Sequence, residues 1–339
     1  MSAINTQARR IPCSTNQDMK NKEIYYSVGP LLYCPANRES IAGNIINERF
    51  GRGYSLALCL EDTIRDTDVT QAENSLCASL KRIYEESASC SFYLPKIFVR
   101  VRNPEQMKSL YEALGDSRGI LTGFILPKFS PENADAYLEH LVKINEDSSG
   151  TVYTMPILES PFLTDLRRRA DFLYELKDRL KDVEDLVLNI RVGGNDLCHI
   201  FGFRRHSDQS IHRIRPIADI FSDIITVFGP DYVVSGPVWE YYSGHGWKDG
   251  LINELADDML CGFTGKTVIH PNQIAPVTEA YRVTTTDLED AARILDTDPL
   301  DGDMVSSNAM GERMNEYKTH TNWARKTLLL ARTYGVSQA

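Results

Sequence analysis

The chain has 339 residues, of which 42% are apolar and 25% are charged, a composition typical of a globular protein with one large barrel or two ordinary domains. Its net charge of −10 argues against nucleic acid as the main partner, because binding to a phosphate backbone requires a basic face. No apolar run approaches the roughly 18 residues of a membrane-spanning helix, so we expect no membrane partner.

The cysteines and the first residues bear on the compartment. The chain has seven cysteines at irregular spacing and no CxxC motif, which favours free thiols in a reducing, cytoplasmic setting. Arg9 and Arg10 are not followed by the apolar run of a secretory signal. Residues 1–25 are polar, and we predict that they form a flexible N-terminal segment.

Short apolar runs then alternate with longer amphipathic runs along the chain. Strands are predicted at Gly29–Cys34, Leu56–Glu61, Lys96–Val101, Thr122–Leu126, Tyr153–Leu158, Leu186–Val192, Tyr232–Gly236 and Thr267–Ile269. Helices are predicted at Glu39–Phe50, Ala72–Glu86, Glu105–Leu114, Pro131–Ile144, Phe162–Leu180, Ile214–Phe228 and Lys248–Leu260. Eight strands that alternate with helices are typical of an α/β protein with a (β/α)8 TIM barrel.

This barrel is expected to span residues 26–284. A doubly wound sheet is the rival fold, but no GxGxxG motif opens a helix, since Gly51-Arg-Gly53 precedes a strand. Residues 285–339 carry two more helix-like segments, Thr286–Leu295 and Asn322–Tyr334. We therefore predict a C-terminal helical extension that acts as a lid or an oligomerisation segment.

Polar and charged side chains follow the predicted strands. Because the reactive groups of TIM barrels lie at the carboxyl ends of the strands, these side chains should meet at one mouth. The candidates are Arg38, Glu61, Asp62, Arg100, Lys128, Glu159, Asn195 and Asp196. Carboxylates of this kind suit a hard divalent cation such as Mg²⁺ better than zinc.

Several strand-end motifs resemble those of one family. They are Leu31–Asn37, Leu58–Asp62, Val99–Asn103, Ile157–Glu159, Gly194–Leu197 and Gly262–Ile274. Together, in this order, they resemble the citrate lyase β-subunit-like family, whose members are carbon–carbon lyases built on a TIM barrel. One departure is Cys59, which stands where this family usually has an aspartate.

The resemblance implies roles for the mouth residues. Glu159 and Asp196 would bind Mg²⁺, with Mn²⁺ as the alternative, although both could instead be strand-end caps or ion-pair partners. Arg100 would bind substrate and act in catalysis, or could only bridge Glu61 and Asp62. These two acids are expected to orient the catalytic group. The remaining candidates for substrate binding are Arg38, Lys128 and Asn195.

The function implied is a Mg²⁺-dependent lyase that cleaves or forms a carbon–carbon bond by aldol or Claisen chemistry. Its substrate would be a small carboxylate-bearing oxo or hydroxy acid, with a coenzyme A ester as one option, and the reaction would pass through an enolate. Two alternatives are a catalytically degenerate barrel that serves as a binding or regulatory protein, and enolate-phosphate chemistry of the phosphoenolpyruvate type.

The resemblance also implies a homo-oligomer, either a trimer or a hexamer, in which the C-terminal segment closes a neighbour's barrel. Related malyl-CoA lyases supply an acidic residue from this lid. The nearest stretch here is Gly311–Glu316, with Asn315 where the aspartate is expected. At that position this chain therefore lacks the acidic residue that serves as the family's usual general acid.

Overall fold

A computed structural model describes residues 22–297, 304–308 and 311–337. Within these ranges, eight parallel strands form one sheet: β1 (Pro30–Pro35), β2 (Ser55–Cys59), β3 (Lys96–Arg100), β4 (Leu121–Leu126), β5 (Tyr153–Leu158), β6 (Ile190–Val192), β7 (Val234–Ser235) and β8 (Lys266–Val268). β1 pairs with both β2 and β8, and a bridge between Gly236 and Lys266 joins β7 to β8. The sheet is therefore closed, and the predicted (β/α)8 barrel is confirmed.

Helices surround this barrel. In the described ranges they are Glu23–Tyr26, Ile41–Ile46, Val69–Ser87, Pro104–Ala113, Pro131–Asp147, Arg169–Leu180, Gly194–Phe201, Arg215–Phe228, Trp247–Leu260 and Ile274–Ala280, followed by Thr285–Leu295 and Tyr317–Tyr334. No helix of the described chain is both long enough and apolar enough to span a membrane. The six cysteines among the described residues are free thiols, and Cys13 lies outside those residues.

The strands are buried on both faces, which explains their poorly alternating sequences. Phe98 and Met155 point into the barrel and pack together in one cluster. Val99, the residue after Phe98 on β3, belongs instead to the larger cluster between the sheet and the helices. A strand in this position has no solvent face, so its sequence reads as a continuous apolar run.

Several boundaries differ from prediction, and two predicted elements are interrupted in the structure. The expected helix Phe162–Leu180 is divided into a short 3-10 helix, Pro161–Thr164, and the α-helix Arg169–Leu180. The side chain of Asp165 accepts a hydrogen bond from the Arg167 amide at 3.0 Å and supports the turn between them. The first half of the expected strand Leu186–Val192 is also irregular, because a 3-10 helix extends to Leu186.

The C-terminal helix Tyr317–Tyr334 closes the amino-terminal end of the barrel, opposite the mouth. The Tyr334 hydroxyl donates a hydrogen bond to the carbonyl oxygen of Tyr26 at 2.6 Å. Leu329 joins the interior cluster that contains Leu31. Most of the segment predicted to be flexible, residues 1–21, lies outside the described residues. The division into a 26–284 barrel and a 285–339 lid stays a prediction.

Candidate active site at the barrel mouth

A cavity of about 290 Å³ opens at the carboxyl ends of the strands. It is lined by Tyr33, Asp62, Thr63, Arg100, Ile157, Glu159, Arg191, Val192, Gly193, Gly194, Asn195, Asp196, Val238, Thr267 and Ile269. Five of the eight side chains that the sequence singled out lie on its wall: Asp62, Arg100, Glu159, Asn195 and Asp196. The closed barrel brings these positions together although they span more than a hundred residues of sequence.

Arg100 is the last residue of β3 and lies among three carboxylates. Its Nη2 atom is 2.7 Å from Glu61 Oε2 and 2.9 Å from Asp62 Oδ2. The same nitrogen lies 3.2 Å from Oε1 of Glu159. Burial alone would lower the pKa of the guanidinium, but the charge of Glu159 and the other negative groups outweighs burial and raises it. Arg100 is therefore a permanent cation on the cavity wall.

Glu159 follows β5 and is almost completely buried. Its Oε1 atom accepts a hydrogen bond from the backbone amide of Lys128 at 2.9 Å, in addition to the contact with Arg100. Burial, together with the nearby charge of Asp196, raises the pKa of this carboxyl group to about 8, against the opposing charge of Arg100. A cation bound next to Glu159 would therefore stabilise the ionised form of this carboxyl group.

Lys128 supports this arrangement from outside the cavity. Its φ of +49° puts the backbone in the left-handed region, which is uncommon for a residue other than glycine. In this conformation its backbone amide donates a hydrogen bond to Glu159. Its ammonium group lies 2.6 Å from Glu61 Oε1 and 3.5 Å from Asp62 Oδ1. The ion pair with Glu61 raises the pKa of Lys128. Lys128 therefore contacts the acids that hold Arg100.

Asn195 and Asp196 lie in the first turn of the helix Gly194–Phe201, which directly follows β6. The sequence analysis did not predict this helix, whose first residue is a glycine, a residue of low helix propensity. Gly193 is required for close packing here: a Cβ atom would lie 2.3 Å from Cβ of Glu159 and 2.4 Å from its Oε2. The absence of a side chain at Gly193 thus leaves space for the Glu159 carboxylate.

Two further candidates lie away from the cavity wall. Arg38 is exposed on the loop after β1, and its side chain interacts with the Cys34 thiol. Glu61 is buried behind Arg100. In this single chain the described residues of Gly311–Glu316 do not line the cavity either. A role of Arg38 in substrate binding, and of the loop across a subunit interface, therefore stays a prediction.

The sequence analysis did not identify Arg191, Tyr33 and Thr267, which also line the cavity. Arg191 is buried on β6, and its Nη2 donates a hydrogen bond to Thr267 Oγ1 at 2.6 Å. The available signal was a single arginine within the apolar strand run around residues 186–192. Sequence alone did not show whether this residue faces the interior or the helices.

Comparison with known proteins agrees with this architecture. The family model described as "C-C_Bond_Lyase of the TIM-Barrel fold" matches residues 22–336. The chain belongs to this carbon–carbon bond lyase family. The match includes every strand of the barrel and all the residues described above at its mouth. No curated protein sequence matches the chain significantly.

Solved structures similar to this lyase-family chain share its fold. The protein CitE of Mycobacterium tuberculosis, in complex with magnesium, acetoacetate and coenzyme A, is 20% identical, with a TM-score of 0.57 over 91% of this chain and 99% of that one. RipC of Yersinia pestis is 18% identical, with a TM-score of 0.52 over 78% and 99%. A citrate lyase β subunit of M. tuberculosis, in complex with oxaloacetate and magnesium, is 18% identical, with a TM-score of 0.50 over 77% and 100%.

The mouth of this lyase-family barrel has the donors that a divalent cation needs. Glu159 and Asp196 follow neighbouring strands, line the same cavity, and are close enough for the charge of Asp196 to raise the pKa of Glu159. Mg²⁺ usually takes one or two protein carboxylates and keeps several waters. No larger group of acidic, histidine or cysteine ligands converges in the described part of the chain. The pair therefore fits Mg²⁺ with positions left for substrate.

Proposed function

We propose that this protein is a Mg²⁺-dependent carbon–carbon lyase that acts on a small carboxylate-bearing oxo or hydroxy acid. The observation that carries the proposal is at Arg100. Its Nε atom is buried and has no hydrogen-bond partner among the described residues, although Nη2 lies within 3.2 Å of three carboxylates. A buried N–H group without a partner costs free energy, so a ligand that accepts this hydrogen bond is expected.

A substrate carboxylate is well suited to this position. The guanidinium is planar and presents its donors as a fork that matches two carboxylate oxygens. The carboxylates around Nη2 fix the orientation of that fork, and Lys128 fixes Glu61 in turn. The structures of CitE with acetoacetate and of the citrate lyase β subunit with oxaloacetate support a ligand of this class.

Glu159 and Asp196 would hold the magnesium ion. When bound, a divalent cation polarises a substrate oxygen and stabilises negative charge that develops there. Arg100 adds a second fixed positive charge on the same wall. Because these groups are already in place, they do not have to reorganise as an enolate forms. Such preorganised electrostatic stabilisation is usually the largest contribution to catalysis.

The remaining wall is largely apolar. Ile157, Val192, Val238 and Ile269 line the same cavity as the charged groups. An apolar wall limits the number of waters around the reacting atoms, and this strengthens the interaction of Arg100 with the developing charge.

Enolate formation can be tested without knowledge of the natural substrate. Pyruvate would be incubated in D₂O with the full-length protein and Mg²⁺, and exchange of its C3 protons followed by NMR. We expect exchange well above the rate with Mg²⁺ alone, and loss of this excess in Glu159→Gln. An absence of both binding and exchange would overturn the proposal.

One outcome distinguishes the main alternative. Binding of Mg²⁺ and pyruvate without any exchange would support a catalytically degenerate barrel that acts as a binding protein. The altered lid motif and Cys59 motivated this alternative, and Cys59 is fully buried on β2. The retained pair Glu159 and Asp196 and the unpartnered Nε of Arg100 favour the enzyme.

A further inference from the structure

Arg191 is a buried cation without an acidic partner. It is only 2% exposed, and its guanidinium donates to Asn189 Oδ1 at 3.2 Å and to Thr267 Oγ1 at 2.6 Å. The hydroxyl of Tyr33 also hydrogen-bonds with it. All three partners are neutral, and within the described residues no carboxylate forms an ion pair with Arg191. Burial consequently lowers its pKa.

Other buried cations of this protein are paired differently. Lys266, the first residue of β8, lies 2.8 Å from Glu254 and 2.6 Å from Asp258. Arg205 also pairs with Glu254, at 3.2 Å. This is the usual arrangement, because a buried charge is unfavourable unless an opposite charge accompanies it. The neutral surroundings of Arg191 therefore require an explanation.

The position of Arg191 in the cavity offers an explanation for its neutral surroundings. Arg191 lines the same cavity as Arg100, and the two arginines come from β6 and β3, on different sides of the barrel. Tyr33 lies within reach of both charges: burial raises the pKa of its hydroxyl, and the charges of Arg191 and Arg100 oppose this increase. One small cavity thus contains two separate guanidinium groups.

We propose that Arg191 binds a second anionic group of the substrate, so that the preferred substrate is a dianionic oxo or hydroxy acid. One carboxylate is held at Arg100 and the magnesium site, and the distal anionic group is held at Arg191. This inference rests on the proposed function. The volume of about 290 Å³ lies near the lower limit of ligand pockets, roughly 300–1,000 Å³. The part of the substrate inside the barrel is therefore small.

Three ligands that differ only at the distal position test this proposal. Oxaloacetate has a carboxylate there, 3-phosphonopyruvate has a phosphonate, and 2-oxobutyrate has a methyl group. Binding to the full-length protein would be measured by calorimetry in Mg²⁺, with freshly dissolved oxaloacetate. If Arg191 forms a hydrogen-bonded ion pair with the distal group, the tighter-binding of oxaloacetate and 3-phosphonopyruvate should bind roughly tenfold to a hundredfold more tightly than 2-oxobutyrate.

Arg191→Met should remove this preference and leave the affinity for 2-oxobutyrate within about twofold, since only the distal group contacts Arg191. Arg191→Lys should retain part of the preference, because the charge remains. A matched control is Arg204→Met, whose side chain is 82% exposed. It should bind all three ligands as the unmodified protein does.

The outcomes separate the two proposals. Equal affinities of the unmodified protein for all three ligands would overturn the role of Arg191 and leave the proposed lyase function intact. This comparison holds even if Arg191→Met does not fold. Binding of none of the ligands in Mg²⁺ would overturn both proposals. A preference for 3-phosphonopyruvate over oxaloacetate would support the second anionic site and assign it to a phosphate-type group.

Discussion

Arg100 and Glu159 are 59 residues apart in sequence, yet Nη2 of Arg100 lies 3.2 Å from Oε1 of Glu159 at the barrel mouth. Arg100 is the last residue of β3 and Glu159 directly follows β5, and these two strands are separated by β4 in the sheet. The backbone amide of Lys128, just after β4, donates to the same carboxylate oxygen. Three successive strand ends therefore fix one carboxylate, and the following predictions depend on this arrangement.

The first prediction concerns the metal pair. Glu159→Gln and Asp196→Asn should each abolish tight Mg²⁺ binding, because each removes one charged oxygen ligand. Loss of the metal should reduce any lyase rate by about a thousandfold or more. Calorimetric Mg²⁺ titrations would measure the binding. Circular dichroism would check that the fold persists, and Glu279→Gln, an exposed surface acid, serves as the control. Unchanged binding in either variant would show that the cation lies elsewhere.

The second prediction concerns Arg100. Arg100→Lys keeps a positive charge but cannot reproduce the planar fork, so pyruvate binding and the exchange of its protons should both be lost. The measurement is kcat/KM for the exchange of pyruvate protons, compared between the unmodified protein and the Arg100→Lys variant. If the lysine variant keeps near-normal kcat/KM, the arginine serves only to bridge Glu61 and Asp62.

The third prediction concerns the space beside Glu159. Gly193→Ala would place a Cβ atom 2.3 Å from Cβ of Glu159, so the carboxylate must move. Mg²⁺ affinity should fall by at least tenfold, since metal sites tolerate small displacements poorly. Gly43→Ala is the matched control, because a Cβ atom at Gly43 would meet nothing within 4 Å. Equal Mg²⁺ affinity of the two variants would argue against Glu159 as a ligand.

The fourth prediction concerns the base of the barrel. Tyr334→Phe removes the buried hydrogen bond to the Tyr26 carbonyl oxygen, at 2.6 Å, and leaves that oxygen without this partner. The free energy of unfolding should decrease by about 1–3 kcal/mol. Chemical denaturation would measure the change against Tyr84→Phe, which alters an exposed ring. No difference between the two variants would mean that the C-terminal helix contributes little to the barrel in solution.

The fifth prediction concerns assembly. Val305 and Met314 are more than half exposed on the antiparallel strands Val305–Ser307 and Met314–Glu316, beside which Arg313 pairs with Asp287 at 2.7 Å and with Asp290 at 2.6 Å. A strand pair with exposed apolar side chains favours a protein partner, and we expect a homo-oligomer, trimer or hexamer.

Light scattering should show this oligomer for the full-length chain, and Val305→Glu combined with Met314→Glu should shift the mass toward the monomer. Leu260→Glu, at an 88% exposed position, is the control. A monomeric full-length protein would contradict the interpretation of the C-terminal segment as a neighbour's lid.

The sequence by itself determined the alternation of strands and helices and the residues at most strand ends. These features follow from local rules: Asn103 caps the helix that starts at Pro104, and apolar runs bounded by polar residues form buried strands. Because strand ends converge in any parallel barrel, the sequence also placed Arg100, Glu159 and Asp196 at one mouth.

Only the tertiary structure decided which side chains enter the cavity and where the tail packs. Arg191 lies in a predicted strand and Lys266 directly precedes one, yet Arg191 lines the cavity and Lys266 is buried with acids of the helix Trp247–Leu260. Side chains alternate along a strand, so a shift of one residue exchanges the two faces. The register is set by the neighbouring strands when the barrel closes. The contact between Tyr334 and Tyr26 likewise depends on that closure, since it joins residues 308 positions apart.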